Sequence, residues 1–193
     1  MPLTGPWSRG LHRLRLHGLL ALGLREAALA VTGRRLACAP DDAHNLATRA
    51  NLLAASGDLA AALSVQQGLV ELEAFRPEAW FNLGFLLERM RKPAEAEPAF
   101  RRAIELAPGL DRAWYGLGLC LIGQNRLAEA APVLRRATEL QPMSPFAWYQ
   151  LARLHAECGD ADQARHIIAH LRGFEPRVAE QLVRETGLAA GLS

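Results

Sequence analysis

The chain has 193 residues, 50% of them hydrophobic and 22% charged, which supplies a core and excludes disorder throughout. Its 22 basic and 20 acidic side chains leave a formal charge of +2, so nucleic-acid binding would require a strong local basic patch, and the sequence carries none. Cys38, Cys120 and Cys158 form no CxxC pair and cannot all be bridged within one chain, which fits a reducing cytoplasm.

The first element is a helix running roughly from Trp7 to Leu22, with a loose apolar stripe of Leu11, Leu14 and Leu22. Arg9, Arg13 and Arg15 lead into "LHGLLALGL", the outline of a signal peptide. Against that outline, His17 interrupts the apolar run, and Arg25 and Glu26 stand just before the small-residue cleavage site. A folded, uncleaved helix is the reading taken; a cleaved signal and a membrane-surface or anchor helix are the alternatives. Intact-mass measurement on protein from its own host separates them, since cleavage would remove about 30 residues. No apolar run reaches the ~18 residues that span a bilayer.

From residue 23 onward the chain repeats itself. Gly23, Ala28 and Pro40 stand 34 residues before Gly57, Ala62 and Ala74, so residues 23–42 read as half of a degenerate repeat. Four full blocks follow: Ala43–Arg76, Pro77–Leu110, Asp111–Ser144 and Pro145–Val178. Their fourth places hold Leu46, Trp80, Trp114 and Trp148, and their eighth places Ala50, Gly84, Gly118 and Ala152. Ala62, Ala96, Ala130 and Ala164 recur in register, as do Leu72, Leu106, Leu140 and Phe174. A step this regular is the mark of a structural unit that stacks on copies of itself.

Within the second block Trp80, Leu83 and Leu87 share a helix face, and Ala96, Phe100, Ala103 and Leu106 share another. Each block is thus a helical hairpin, with small residues at the eighth place letting backbones approach and the tryptophan as a buried anchor. Gly57 and Gly159 suit a left-handed turn, Asp58 and Asp160 a helix cap, and Pro93 a helix start. Pro98 and Pro132 fit if their helices begin late; otherwise they kink them. Arg177–Thr186 closes the chain as a helix with Val178, Leu182 and Val183 on one face, before a tail "GLAAGLS".

These blocks closely resemble the tetratricopeptide repeat (TPR) family. The resemblance implies an all-α, right-handed superhelix (solenoid) of stacked hairpins with about ten to twelve helices. The domain organisation is then 1–42, an N-terminal helical region with a half repeat; 43–178, four repeats; and 179–193, a capping helix and tail. It further implies a concave groove, lined by first helices, that receives a peptide or helix of a partner protein. The groove places are held here by Asn51, Phe81, Asn82, Phe85, Arg112, Tyr115, Leu119, Tyr149 and Arg153. The aromatic row suits apolar side chains, and Arg112 and Arg153 suit acidic ones, so the expected ligand is apolar with acidic residues. Some family members clamp a chain terminus with Lys, Asn and Arg; Asn51, Asn82 and Arg112 match, but Ala47 and Gly116 do not, and the clamp is incomplete.

No catalytic residues, metal ligands or cofactor site emerge. His166 and His170 are four apart on a helix, without a compelling third ligand, and no phosphate loop or nucleophile motif is present. The expectation is a non-enzymatic interaction scaffold acting as a bacterial assembly or secretion-type chaperone or adaptor in the cytoplasm. The alternatives are a membrane-associated assembly factor held by the N-terminal helix, a periplasmic location, or a permanent subunit of a larger complex.

Overall fold

The computed structural model describes residues 6–188. Among the described residues there are eleven α-helices and no strand. In chain order they are α1 Pro6–Ala21, α2 Arg25–Cys38, α3 Ala43–Ala55, α4 Leu59–Leu72, α5 Pro77–Arg89, α6 Pro93–Leu106, α7 Asp111–Gly123, α8 Leu127–Leu140, α9 Pro145–Glu157, α10 Ala161–Arg172 and α11 Pro176–Thr186. The chain divides into two compact units, residues 1–86 and 87–193.

One turn geometry recurs at every hairpin. Gly23, Gly57, Arg91, Asn125 and Gly159, each 34 residues after the last, all have positive φ, between 58° and 90°. The next residue's N–H reaches back to the carbonyl five positions earlier: Asp58 to Leu53, Lys92 to Leu87, Arg126 to Leu121 and Asp160 to His155, all at 2.8–3.0 Å. This left-handed cap satisfies carbonyls that the helix end leaves open. Glycine adopts the conformation freely and Asn125 tolerates it, whereas Arg91 carries a β-carbon into a region that costs about 1 kcal/mol. Asp42, Asp58 and Asp160 cap the helices that follow them, accepting from the N–H groups of Asn45, Ala61 and Gln163.

A second recurring bond explains the tryptophans. The indole N–H of Trp80 donates to the Ala74 carbonyl, that of Trp114 to Pro108 and that of Trp148 to Pro142, at 2.8–2.9 Å. Each tryptophan therefore ties its helix to the turn before it. The rings are half-buried, not buried as the periodicity suggested, because the polar edge must reach that turn. Trp114→Phe should cost about 1 kcal/mol in chemical unfolding, the worth of one such bond.

Two other expectations are corrected. α6 and α8 do not start late: Pro98 and Pro132 lie inside them, on exposed positions. The carbonyls that lose a partner belong to Ala94 and Ala128, which are themselves exposed to water. In α1 the packed residue is Leu16, with Leu19 beside it, while Leu11 and Leu14 are exposed, as is Leu22 in the turn that follows.

In the 1–86 unit, Leu16, Ala28, Val31 and Leu52 form one cluster and Leu53, Ala54, Ala62 and Leu86 another. Buried Gln66 is satisfied by donating to the Ala79 carbonyl at 2.8 Å. In the 87–193 unit the core runs through Phe100, Leu117, Leu121, Leu134, Leu151, Ile168, Leu171 and Leu182. A β-carbon on Gly118 would stand 2.5 Å from Leu134 Cδ2, so any larger residue at this eighth place requires the buried Leu134 side chain to move.

Polar side chains also lock neighbouring hairpins of this unit. Glu97 on α6 accepts from Gln124 at 2.8 Å and Arg126 at 2.6 Å, both in the α7–α8 turn, and from Arg101 at 2.9 Å. Burial pushes the Glu97 carboxyl up, but hydrogen bonds from Gln124, Arg101 and Arg126 outweigh it and hold the group below the ordinary 4.5. A carboxyl depressed on folding adds stability above its unfolded value, and that stability is lost as pH falls through the folded one. The melting temperature should therefore decline below about pH 4.5, and Glu97→Gln should flatten the decline. Behind this lock, burial first, then the charges of Glu88 and Glu97, raise the Cys120 thiol to about 12. Exposed Cys38 and Cys158 should accordingly alkylate rapidly in native protein and Cys120 only on unfolding, read by mass spectrometry.

Candidate functional site

The nine groove residues separate between the two units. In residues 1–86, Asn51 is exposed on α3, and the Phe81 and Phe85 rings stack one helical turn apart on α5 with centroids 6.2 Å apart. Asn82 joins His44, Ala47, Glu73, Arg76 and Glu78 around a depression of about 210 Å³. Charged side chains of both signs rim this depression, and the buried Leu69 and Ala79 also line it.

In residues 87–193 the structure assembles a more specific surface. Tyr115 on α7 and Phe146 on α9 face each other at 6.5 Å, and Phe146 is 66% exposed, an aromatic ring left largely to water. Tyr115, Phe146, Tyr149, Gln150, Val178 and Gln181 line a depression of about 290 Å³, and Arg112 reaches a smaller one on the other side of Tyr115 and Phe146. Leu119 lies half-buried one turn beyond Tyr115 on α7. Burial raises the Tyr115 phenol above its usual value, with a hydrogen bond from Gln150 acting the other way.

Tyr149 begins a polar end. Its hydroxyl donates to Glu185 Oε2 on α11 at 2.6 Å, Gln181 Nε2 donates to Glu185 Oε1 at 2.8 Å, and Arg153 lies 4.0 Å from the same carboxylate. The Arg153 guanidinium also sits over the Tyr149 ring, 5.7 Å from its centre. The Tyr149 bond, then that from Gln181, holds the Glu185 carboxyl below its ordinary range, and the same bond keeps the phenol protonated. Tyr149, Arg153 and Glu185 border an open depression of about 580 Å³ with Ala156, Glu157 and Thr186.

Sequence reasoning named Tyr115, Tyr149, Arg112 and Arg153, and missed α11's contribution of Val178, Gln181 and Glu185. The periodicity of α11 identifies Leu182, which is fully buried, and the partners of its polar positions depend on packing against α9 and α10. His170, which paired with His166 by spacing alone, has its ring 4.6 Å from Trp148 and 5.4 Å from Phe174, in aromatic contact with both. Among the described residues no group of three His, Cys, Asp or Glu could hold a metal ion.

Residues 47–111 and 81–145 match one tetratricopeptide repeat family model, and residues 121–182 a second. The first alone spans more than half of the chain. The chain belongs to the tetratricopeptide repeat family. No curated protein matches it. Solved structures do: MamA residues 41 to the end from Desulfovibrio magneticus RS-1 is 22% identical, with TM-score 0.76 and coverage of 91% of this chain and 95% of that one. PilW, described as a widely conserved type IV pilus biogenesis factor, is 19% identical with TM-score 0.79, covering 96% and 89%. YrrB, described as a TPR protein with an unusual peptide-binding site, is 20% identical with TM-score 0.75, covering 88% of each chain. At these identities the likeness is one of fold. TPR proteins are protein–protein interaction scaffolds, in general non-enzymatic, that bind protein partners. No helix of the described residues is long and apolar enough to cross a membrane.

Proposed function

We propose that this TPR protein is a non-enzymatic adaptor, and that its 87–193 unit binds a partner segment presenting an acidic side chain beside apolar ones. The carrying observation is Glu185: an acid of the chain's own α11 sits on Tyr149 and Arg153, next to the aromatic depression of Tyr115 and Phe146. A partner carboxylate fits the same donors, and its apolar neighbours fit the rings. Leu119 extends that apolar surface and Arg112 offers a second cation. In the 1–86 unit we assign Phe81 and Phe85 a like apolar role, with Asn51 and Asn82 as polar contacts. In this reading the repeats of 43–178 supply most of the binding residues, with 1–42 before them and 179–193, which adds Gln181 and Glu185, after them.

Cytoplasmic residence is supported by three unpaired cysteines, and a role in bacterial assembly or secretion by similarity in fold to a pilus biogenesis factor. Panning a random peptide display library on the purified protein tests the binding reading. Enriched peptides should pair Asp or Glu with aromatic or aliphatic residues, and Arg153→Gln should weaken them. Enrichment of basic peptides, or of peptides insensitive to both Tyr149 and Arg153 variants, would overturn it.

A further inference from the structure

α1 is apolar on two sides. One side closes the 1–86 unit, with Leu16 against Ala28, Val31 and Leu52, Leu19 beside it, and His12 Nε2 hydrogen-bonded to Asn45 Oδ1 at 2.7 Å. The other carries Leu11 and Leu14, which are 69% and 71% exposed, and Leu22, 75% exposed, continues it in the turn just after the helix. Steps of three and eight align these leucines along one stripe. An exposed apolar stripe of this kind marks a contact surface.

Charge selects its occupant. The α1 sequence contains Arg9, Arg13 and Arg15, and no Asp or Glu. A second copy docked through the same face would set cationic helix against cationic helix. The stripe is convex, so a protein partner would have to supply both a fitted apolar groove and several acids. A bilayer containing anionic lipid supplies both conditions without fitted shape: leucines enter the headgroup–acyl boundary while guanidinium groups meet phosphates. With 16 residues α1 is shorter than a spanning helix, so it would lie along the surface. We propose that α1 docks this protein onto an anionic membrane surface through Leu11, Leu14 and Leu22, independently of the partner-binding face.

Flotation of the full-length protein with vesicles of phosphatidylglycerol and phosphatidylcholine, and with phosphatidylcholine alone, tests this. The protein should float with the anionic vesicles only, and partitioning should fall about ten-fold from low to physiological salt. Leu11→Ser with Leu14→Ser and Leu22→Ser should abolish flotation with helical circular dichroism unchanged, because Leu16 and Leu19 keep the packed side. Arg15→Glu, at an exposed position, is the second variant and should reduce flotation several-fold without touching the stripe. Failure to float, flotation indifferent to both variants, or equal flotation with neutral vesicles would overturn the proposal. So would a dimer in sedimentation that the serine variant dissolves while vesicle binding is absent, which would give the stripe to a second copy.

Discussion

Phe100→Ala should lower the stability of the 87–193 unit by about 3 to 5 kcal/mol, the cost of truncating a large buried ring. Phe100 is 1% exposed, and its ring fills the space left by Gly116: a β-carbon there would stand 2.5 Å from two ring atoms. The ring cannot swing away, because it is enclosed on all sides. Gly116→Ala should therefore be destabilising by about 1 to 3 kcal/mol through overpacking. The two effects are coupled. In a Phe100→Leu background the smaller side chain leaves room, and Gly116→Ala should cost markedly less than in the parent. Denaturant unfolding of the four proteins of this cycle measures the coupling; strict additivity would show that ring and glycine do not meet.

Contacts that repeat were legible in the sequence, and contacts made once were not. Gly57 and Gly159 announced the hairpin turn, and Asp58 and Asp160 the caps, because a left-handed residue and a side-chain acceptor are local requirements written in residue type. Arg91 and Asn125 occupy the same conformation without that residue type, and only the 34-residue step relates them to the glycines. The tryptophans were placed correctly on the first helices but given the wrong depth, since periodicity reports a face and not the carbonyl that an indole N–H seeks. α1 shows the limit most clearly. Its leucines form two stripes, Leu11 and Leu14, continued by Leu22 just after the helix, on one and Leu16 and Leu19 on the other, and either could face the core by pattern alone. The bond from His12 to Asn45, a residue 33 positions away, belongs with the second choice, and no local signal contains it. In the same way Tyr149 and Arg153 were visible as candidates, while their acidic companion Glu185 came from a helix whose docking only the folded chain reveals.

Tyr115→Ala combined with Tyr149→Ala should weaken binding of an acidic, apolar peptide selected on this protein by about 2 to 4 kcal/mol, roughly 30- to 1,000-fold in Kd. Tyr115 supplies a half-buried wall shared with Phe146, and Tyr149 joins that wall to the acid-binding end, so the pair removes both the apolar contact and its link to Arg153. Glu185 makes the assignment of roles testable without loss of surface. At neutral pH its carboxyl is ionised and holds the Tyr149 hydroxyl and, more loosely, Arg153. A ligand acid must compete with it. Glu185→Gln removes the negative charge at nearly constant shape, so binding of the acidic peptide should tighten several-fold while its Glu→Gln counterpart is unaffected. Arg153→Gln should act in the opposite sense, lowering the association rate and flattening the salt dependence of the acidic peptide alone. Isothermal titration gives the affinities and stopped-flow fluorescence the rates, with melting curves for each variant confirming an intact fold. If Glu185→Gln left the acidic peptide's affinity unchanged while Arg153→Gln still weakened it, Arg153 would engage the ligand away from Tyr149, and the acid would bind toward the α9 C-terminus instead.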